Sequence, residues 1–141
     1  MPVRKADAVW EGSLREGRGR VRTGSGGCEG AYSFGTRFEE EPGTNPEELI
    51  GAAHAGCFSM ALSAGLGKAG FSPQRIETKA DVHLEKQDAG FSITRIHLTT
   101  TGQVPDIDET TFKQHAEDAK KNCPVSRALG AIEITLDARL G

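Results

Sequence analysis

Residues 44–66 read TNPEELIGAAHAGCFSMALSAGL, and this stretch decides how the rest of the chain has to be arranged. It opens as a helix: Thr44 or Asn45 can cap, Pro46 suits the first helical position, and Glu47 and Glu48 complement the positive helix end. The body from Leu49 to Leu66 is apolar or small on nearly every face, as in a helix covered on all sides rather than one lying on a surface. Gly70 and Pro73 stop it.

Upstream of this helix, KADAVW (5–10) alternates Ala6, Ala8 and Trp10. AYSFGTRF (31–38) alternates Tyr32, Phe34, Thr36 and Phe38 against Ser33, Gly35 and Arg37. Both read as strands in a Gly-rich first third built of short strands and turns, and Arg37 then points away from the aromatic face. Downstream, IETKADVHLEK (76–86) puts Ile76, Thr78, Ala80, Val82 and Leu84 on one strand face. A turn at 88–90 leads into FSITRIHLTT (91–100), whose apolar phase slips between Ile93 and Ile96, the mark of a bulge or of a strand partly covered on both faces.

Asp108 to Asn122 fits a capped, one-sided helix through Phe112, Ala116 and Ala119. PVSRALG (124–130) is a short helix with Pro first and Gly after its end, and AIEITLDARL (131–140) is a last strand. Strands grouped around helices, rather than alternating with them, give an α+β fold, with mainly antiparallel sheets around a buried central helix, in one domain spanning 1–141. A helix this apolar needs more cover than one small sheet offers, so a second copy of the chain is expected over it.

Charge and composition remove several function classes. In 141 residues, 17 Lys and Arg are mixed with 20 Asp and Glu for a net charge of -3. No basic block exists to neutralise a phosphate backbone, so nucleic acid is not an expected partner. The start, MPVRKADAVW, lacks an apolar leader, and the longest mostly apolar stretch is broken by His54, Ser59, Ser63 and glycines. A cytoplasmic protein with no membrane partner is expected. Cys28, Cys57 and Cys123 are too few for a disulfide framework and contain no Cys-x-x-Cys pair, so thiols are expected.

Cys57 reads either as a small hydrophobe among small residues or as a reactive group. Cys123 precedes Pro124 at a helix start, where unpaired N–H groups and the dipole favour a thiolate. Glu47, ten residues before Cys57, would stand roughly 15 Å from it along a straight helix, too far to touch. Arg37, oriented by Glu47, can close that gap and stabilise a Cys57 thiolate. Two cysteines, an arginine and a carboxylate suffice for thiol peroxide chemistry.

Cys28, in a Gly-rich loop, is read as incidental. Leu49, Ile50, Phe58, Met60, Leu62 and Phe38 form the pool for an apolar pocket. Two other readings stand beside this one: a zinc module of His54, Cys57, His115 and Cys123, and a redox sensor whose disulfide alters a partner surface. His83, His97 and His115 are expected to face solvent.

With TNPEELIGAAHAGCFSMALS (44–63), ADVHLEKQDAGFSITRIHL (80–98) and NCPVSRAL (122–129), the chain resembles the OsmC/Ohr family of thiol-dependent organic hydroperoxide reductases, and its OsmC branch in particular. The resemblance implies that Cys57 is the peroxidatic cysteine, Cys123 the resolving one, and Arg37 with Glu47 the supporting pair. It implies a Cys57–Cys123 disulfide in turnover and an intertwined homodimer with two active sites at its interface. It also implies organic hydroperoxide substrates, a dihydrolipoyl protein as reductant, a role in oxidative or osmotic stress, and no bound metal, flavin or other cofactor. The helix-start argument alone would name Cys123 as the more acidic thiol, whereas the resemblance assigns attack to Cys57. A full charge from an arginine outweighs the half-charge of a helix end.

Overall fold

The computed structural model describes residues 2–141. The chain divides into two compact units, one up to Leu49 and one from Ile50 to Gly141.

In the first unit, β1 (Ala6–Glu11), β2 (Arg18–Thr23) and β3 (Glu29–Tyr32) form an antiparallel sheet in that order. Register places Gly19 opposite both Trp10 and Tyr32. The two rings, 5.4 Å apart, close over it, and a Cβ at Gly19 would lie 2.5 Å from the Tyr32 ring and 2.6 Å from the Trp10 ring. Only glycine fits beneath that pair.

The expected strand across 31–38 is corrected here. β3 ends at Tyr32 and a one-turn helix, α1 (Phe34–Phe38), follows. Ser33 Oγ accepts from the Thr36 N–H at 3.3 Å, and Thr36 Oγ1 accepts from the Ser33 N–H at 2.8 Å. This reciprocal capping box satisfies two donors locally and overrides the strand alternation. Phe34 and Phe38, one helical turn apart, stack with centroids 5.0 Å apart. Arg37 is therefore not turned from the aromatics: its guanidinium carbon lies 5.3 Å from the centre of the Phe38 ring.

The long helix α2 (Pro46–Lys68) is capped by Asn45, whose Oδ1 accepts from the Glu48 N–H at 2.8 Å. The same side chain donates to the Thr36 carbonyl at 3.0 Å and so ties the start of α2 to α1. Among the described residues up to Leu49, no apolar side chain is buried; Glu47 is the buried side chain there.

The second unit holds the rest of α2 with β4 (Arg75–Gln87), β5 (Gly90–Gln103), α3 (Glu109–Asn122), α4 (Pro124–Ala128) and β6 (Glu133–Leu140). β4 and β5 form a long antiparallel hairpin, but β5 pairs with β6 in parallel. Three of the four strand pairings are antiparallel, as expected, and the one parallel pairing arises because α3 and α4 carry the chain back to the end where β5 began before β6 starts. His83 pairs with Arg95 and Leu84 with Ile93, leaving Thr94 as the extra residue of a bulge. That single insertion is the phase slip visible in the sequence.

Phe58, Leu62 and Leu66 of α2, Ile96 and Leu98 of β5, and Phe112 and Ala116 of α3 are fully buried together. Helix α3 comes so close to the sheet that a Cβ on Gly102 would lie 2.5 Å from the Phe112 ring. Along α2, Ser59 bonds Thr78 at 2.7 Å and Thr78 bonds Thr100 at 3.0 Å, a polar seam between helix and strands.

The expectation that α2 is covered on all faces does not hold within the chain. Ala52, Ala53, Gly56, Met60, Ser63, Ala64 and Gly67 form an exposed stripe, with Met60 78% accessible. By length and composition alone α2 is apolar enough to cross a membrane. The histidine expectation is corrected as well. His83, His97 and His115 are half-buried: His97 bonds Thr135 at 2.5 Å, His83 bonds Arg95 at 3.3 Å, and His115 meets the Phe71 ring edge-on.

Candidate active site

The three cysteines are all free thiols in very different settings: Cys28 is exposed, Cys57 half-buried and Cys123 buried. Cys57 sits in the middle of α2, on the flank of the face that carries His54 and Phe58 into the core. Cys123 ends α3 and caps α4 at once. Its own N–H bonds back to the Ala119 carbonyl at 3.0 Å, while its Sγ accepts from the Ser126 N–H at 3.4 Å.

Pro124 has no N–H to donate, so the first free donors of α4 belong to Val125 and Ser126. The Ser126 N–H goes to the Cys123 thiol at 3.4 Å, and the Val125 N–H favours the Cys57 thiolate. One helical turn thus serves both sulfurs. The two thiols are neighbours, and Cys123 bears on the Cys57 proton.

Burial pushes the Cys57 pKa up from the ordinary thiol value, the neighbouring Cys123 adds to the rise, and the Val125 N–H opposes it. The thiol pair therefore calls for an added positive charge if Cys57 is to ionise near neutrality.

Behind Cys123 lies a line of buried polar atoms. The Cys123 thiol donates to Ser126 Oγ at 3.1 Å, and Ser126 Oγ shares a 2.7 Å hydrogen bond with His54 Nε2. His54 is 0% and Ser126 4% exposed. Burial lowers the His54 pKa, so its ring is neutral at neutral pH. Its Nδ1 is buried with no hydrogen-bond partner, a loss of about 1–3 kcal/mol that an apolar side chain would not incur.

In the first unit, Arg37 and Glu47 form a two-pronged pair, Nε to Oε1 and Nη2 to Oε2, both at 2.9 Å. The Glu47 side chain is 10% and the Arg37 side chain 36% exposed, so the carboxylate is held while the guanidinium keeps an open edge. Glu48 instead takes the hydrogen bonds of Thr44 and Asn45 at the helix cap. Arg37 also lines a cleft of about 250 Å³ with Trp10, Leu14, Tyr32, Phe34 and Phe38.

The structure brings Cys57 and Cys123 together and pairs Arg37 with Glu47; Cys28 lies in a separate cleft with Val3, Lys5 and Ser25. Ser126 as the partner of Cys123, and His54 as the partner of Ser126, were missed. The Cys-x-x-Ser spacing of a helix cap was the available signal for Ser126. Of the apolar pool, Phe58 and Leu62 are core residues, whereas Phe38 does line the arginine's cleft. Among the described residues, no group of three His, Cys, Asp or Glu side chains converges to hold a metal, and His54 Nε2 is already engaged by Ser126.

The chain is 57% identical over 138 residues to Peroxiredoxin OsmC of Escherichia coli (strain K12), covering 97% of this chain and 96% of that protein. It is 28% identical over 103 residues to the organic hydroperoxide resistance protein OhrB of Bacillus subtilis (strain 168), covering 72% of this chain and 74% of that one. Among solved structures, Bacillus subtilis OhrB superposes with a TM-score of 0.73 at 23% identity over 96% of this chain and 98% of that one. An OsmC-like protein of Vibrio cholerae does so with a TM-score of 0.77 at 16% identity, over 98% and 99%. At those identities the structures speak for the fold alone. Residues 38–137 match the family described as OsmC-like protein, and with that match and the E. coli relative, the chain belongs to the OsmC family.

Proposed function

We propose that this protein is a thiol-dependent peroxidase that reduces organic hydroperoxides to alcohols in hydroperoxide defence. The observation that carries this reading is the thiol pair itself: a half-buried cysteine beside a buried one at the first turn of α4, close enough for Cys123 to raise the Cys57 pKa. The names of its relatives, a peroxiredoxin and an organic hydroperoxide resistance protein, support the same reading.

In the proposed cycle the Cys57 thiolate attacks the terminal peroxide oxygen; an S–O bond forms, the O–O bond breaks, and the alkoxide leaves to take up a proton. Arg37, held by Glu47, stabilises the thiolate and then the departing negative charge, in whichever subunit the two groups meet. The Cys123 sulfur then displaces hydroxide from the Cys57 sulfenic acid, giving a disulfide and water. An external dithiol, a dihydrolipoyl protein, restores both thiols by exchange, so no resident cofactor is required.

The cleft of Trp10, Leu14, Tyr32, Phe34 and Phe38 offers an apolar wall beside the arginine and suits an alkyl chain. A second copy of the chain completes the molecule: the described residues of the first unit bury no apolar side chain and α2 exposes a stripe of small residues. The protein works in the cytoplasm, where thiols stay reduced, without nucleic acid or membrane partners.

Stopped-flow oxidation of Cys57 with cumene hydroperoxide and hydrogen peroxide at equal concentrations tests the substrate class. The organic peroxide should react at least about 100-fold faster, the scale of a filled apolar pocket. Equal rates, or a faster reaction with hydrogen peroxide, would remove the organic-substrate reading.

A further inference from the structure

We propose that Ser126 and His54 form a proton relay that draws the thiol proton from Cys123 as it resolves the Cys57 sulfenic acid and returns that proton to the departing hydroxide. Cys123 is 1% exposed, so bulk water is not available to take its proton. The one side-chain oxygen it donates to is Ser126 Oγ, at 3.1 Å, and that hydroxyl in turn reaches His54 Nε2 at 2.7 Å. All three side chains are at most 4% exposed, inside a core that is otherwise almost wholly apolar.

The direction of the relay follows from donor arithmetic. If the thiol donates to Ser126 Oγ, the serine hydroxyl hydrogen is free to point at His54 Nε2, which must then be the bare nitrogen of a neutral ring. The imidazole proton is left on Nδ1, the atom that has no hydrogen-bond partner. The neutral ring leaves Nε2 free to take the serine hydrogen, and because burial lowers the His54 pKa the imidazolium so formed is short-lived and hands its proton back. The Ser126 N–H at 3.4 Å then steadies the sulfur as it gains negative charge.

This rests on the proposed peroxidase reading, and its step balances within that reading. The Cys123 proton passes to Ser126 as the serine proton passes to His54. The sulfur's electron pair forms the S–S bond, and the S–O bond of the sulfenic acid breaks toward hydroxide. The imidazolium returns its proton through Ser126, so water leaves. One sulfur is oxidised as the other is reduced, and no outside reactant is consumed. Ser126 touches a reacting atom; His54 acts through it and is a positioning residue.

Full-length wild type, Ser126→Ala and His54→Gln should be compared with one equivalent of cumene hydroperoxide, following Cys57 oxidation and disulfide formation separately by quenched mass spectrometry. Both variants should oxidise Cys57 within twofold of wild type but close the disulfide about 100-fold more slowly at neutral pH, the usual share of a positioned base. The deficit should shrink as pH rises, by about tenfold per unit, because hydroxide then makes the thiolate directly. Glutamine keeps a hydrogen bond to Ser126 but cannot take a proton, so a defect from packing alone would persist unchanged at every pH and would overturn the relay. Wild-type closure rates in both variants would also overturn it.

A parallel reaction with an aromatic disulfide reagent separates the two ideas. It places a mixed disulfide on Cys57 without peroxide, and release of the second aryl thiolate reports attack by Cys123. If wild type forms no sulfenic acid, the peroxidase reading falls, but the same slow second release in both variants still supports the relay. Its absence contradicts the relay.

Discussion

Arg37 and Glu47 share two 2.9 Å hydrogen bonds, and the fork-to-fork match fixes the guanidinium in a way no ammonium can copy. Burial and the neighbouring thiol both raise the Cys57 pKa, so a cation has to offset them for attack at neutral pH. A raised thiol pKa means that reactivity is lost as pH falls through it and regained above it. Arg37→Lys should therefore move the midpoint of Cys57 alkylation to higher pH and slow oxidation by organic hydroperoxide about 100-fold. Glu47→Gln should give the same changes in smaller measure. An unshifted profile with wild-type oxidation in Arg37→Lys would leave the arginine without a part in the chemistry.

At the level of elements, α1 is a five-residue helix opened by the Ser33–Thr36 capping box. Ser33→Ala should cost about 1 kcal/mol of stability and slow peroxide reduction although Arg37 is untouched, because the helix that aims it frays. Urea unfolding and oxidation kinetics on the same sample check this; a full wild-type rate would mean that the Glu47 pair alone positions the arginine. The capping box also shows where sequence reading stops. Alternation in AYSFGTRF satisfied a strand as well as a helix turn, and only the Ser-x-x-Thr spacing separated them. The local signals that survived are Pro46 opening α2 and Asp108 capping α3, and of the two readings of the slipped phase the structure holds the Thr94 bulge. The parallel placement of β6 and the Ser126–His54 contact join residues far apart in the chain, 72 positions in the second case, and no local periodicity encodes them.

For the whole molecule, an exposed stripe of Ala52, Ala53, Gly56, Met60, Ser63, Ala64 and Gly67 along α2 suits close approach by another helix. The sheet of β1, β2 and β3, with no buried apolar side chain, needs a cover it does not find within its own unit. Sedimentation velocity should show wild type at twice the 15.0 kDa chain mass. Met60→Glu would bury an unpaired carboxylate in the proposed interface and should shift the protein to monomer with loss of peroxide reduction. A wild-type monomer of full activity would show that the stripe needs no partner.

The chemistry as a whole is tested most directly by peptide mass spectrometry of wild type after one equivalent of cumene hydroperoxide, with Cys123→Ser alongside. Wild type should carry one disulfide, between Cys57 and Cys123, with Cys28 still a free thiol. Cys123→Ser should stop at a Cys57 sulfenic acid, which excess peroxide drives to the sulfinic acid. A disulfide that includes Cys28, or an inert Cys123→Ser beside a Cys57→Ser protein oxidised at Cys123, would contradict the assignment of Cys57 as the attacking residue.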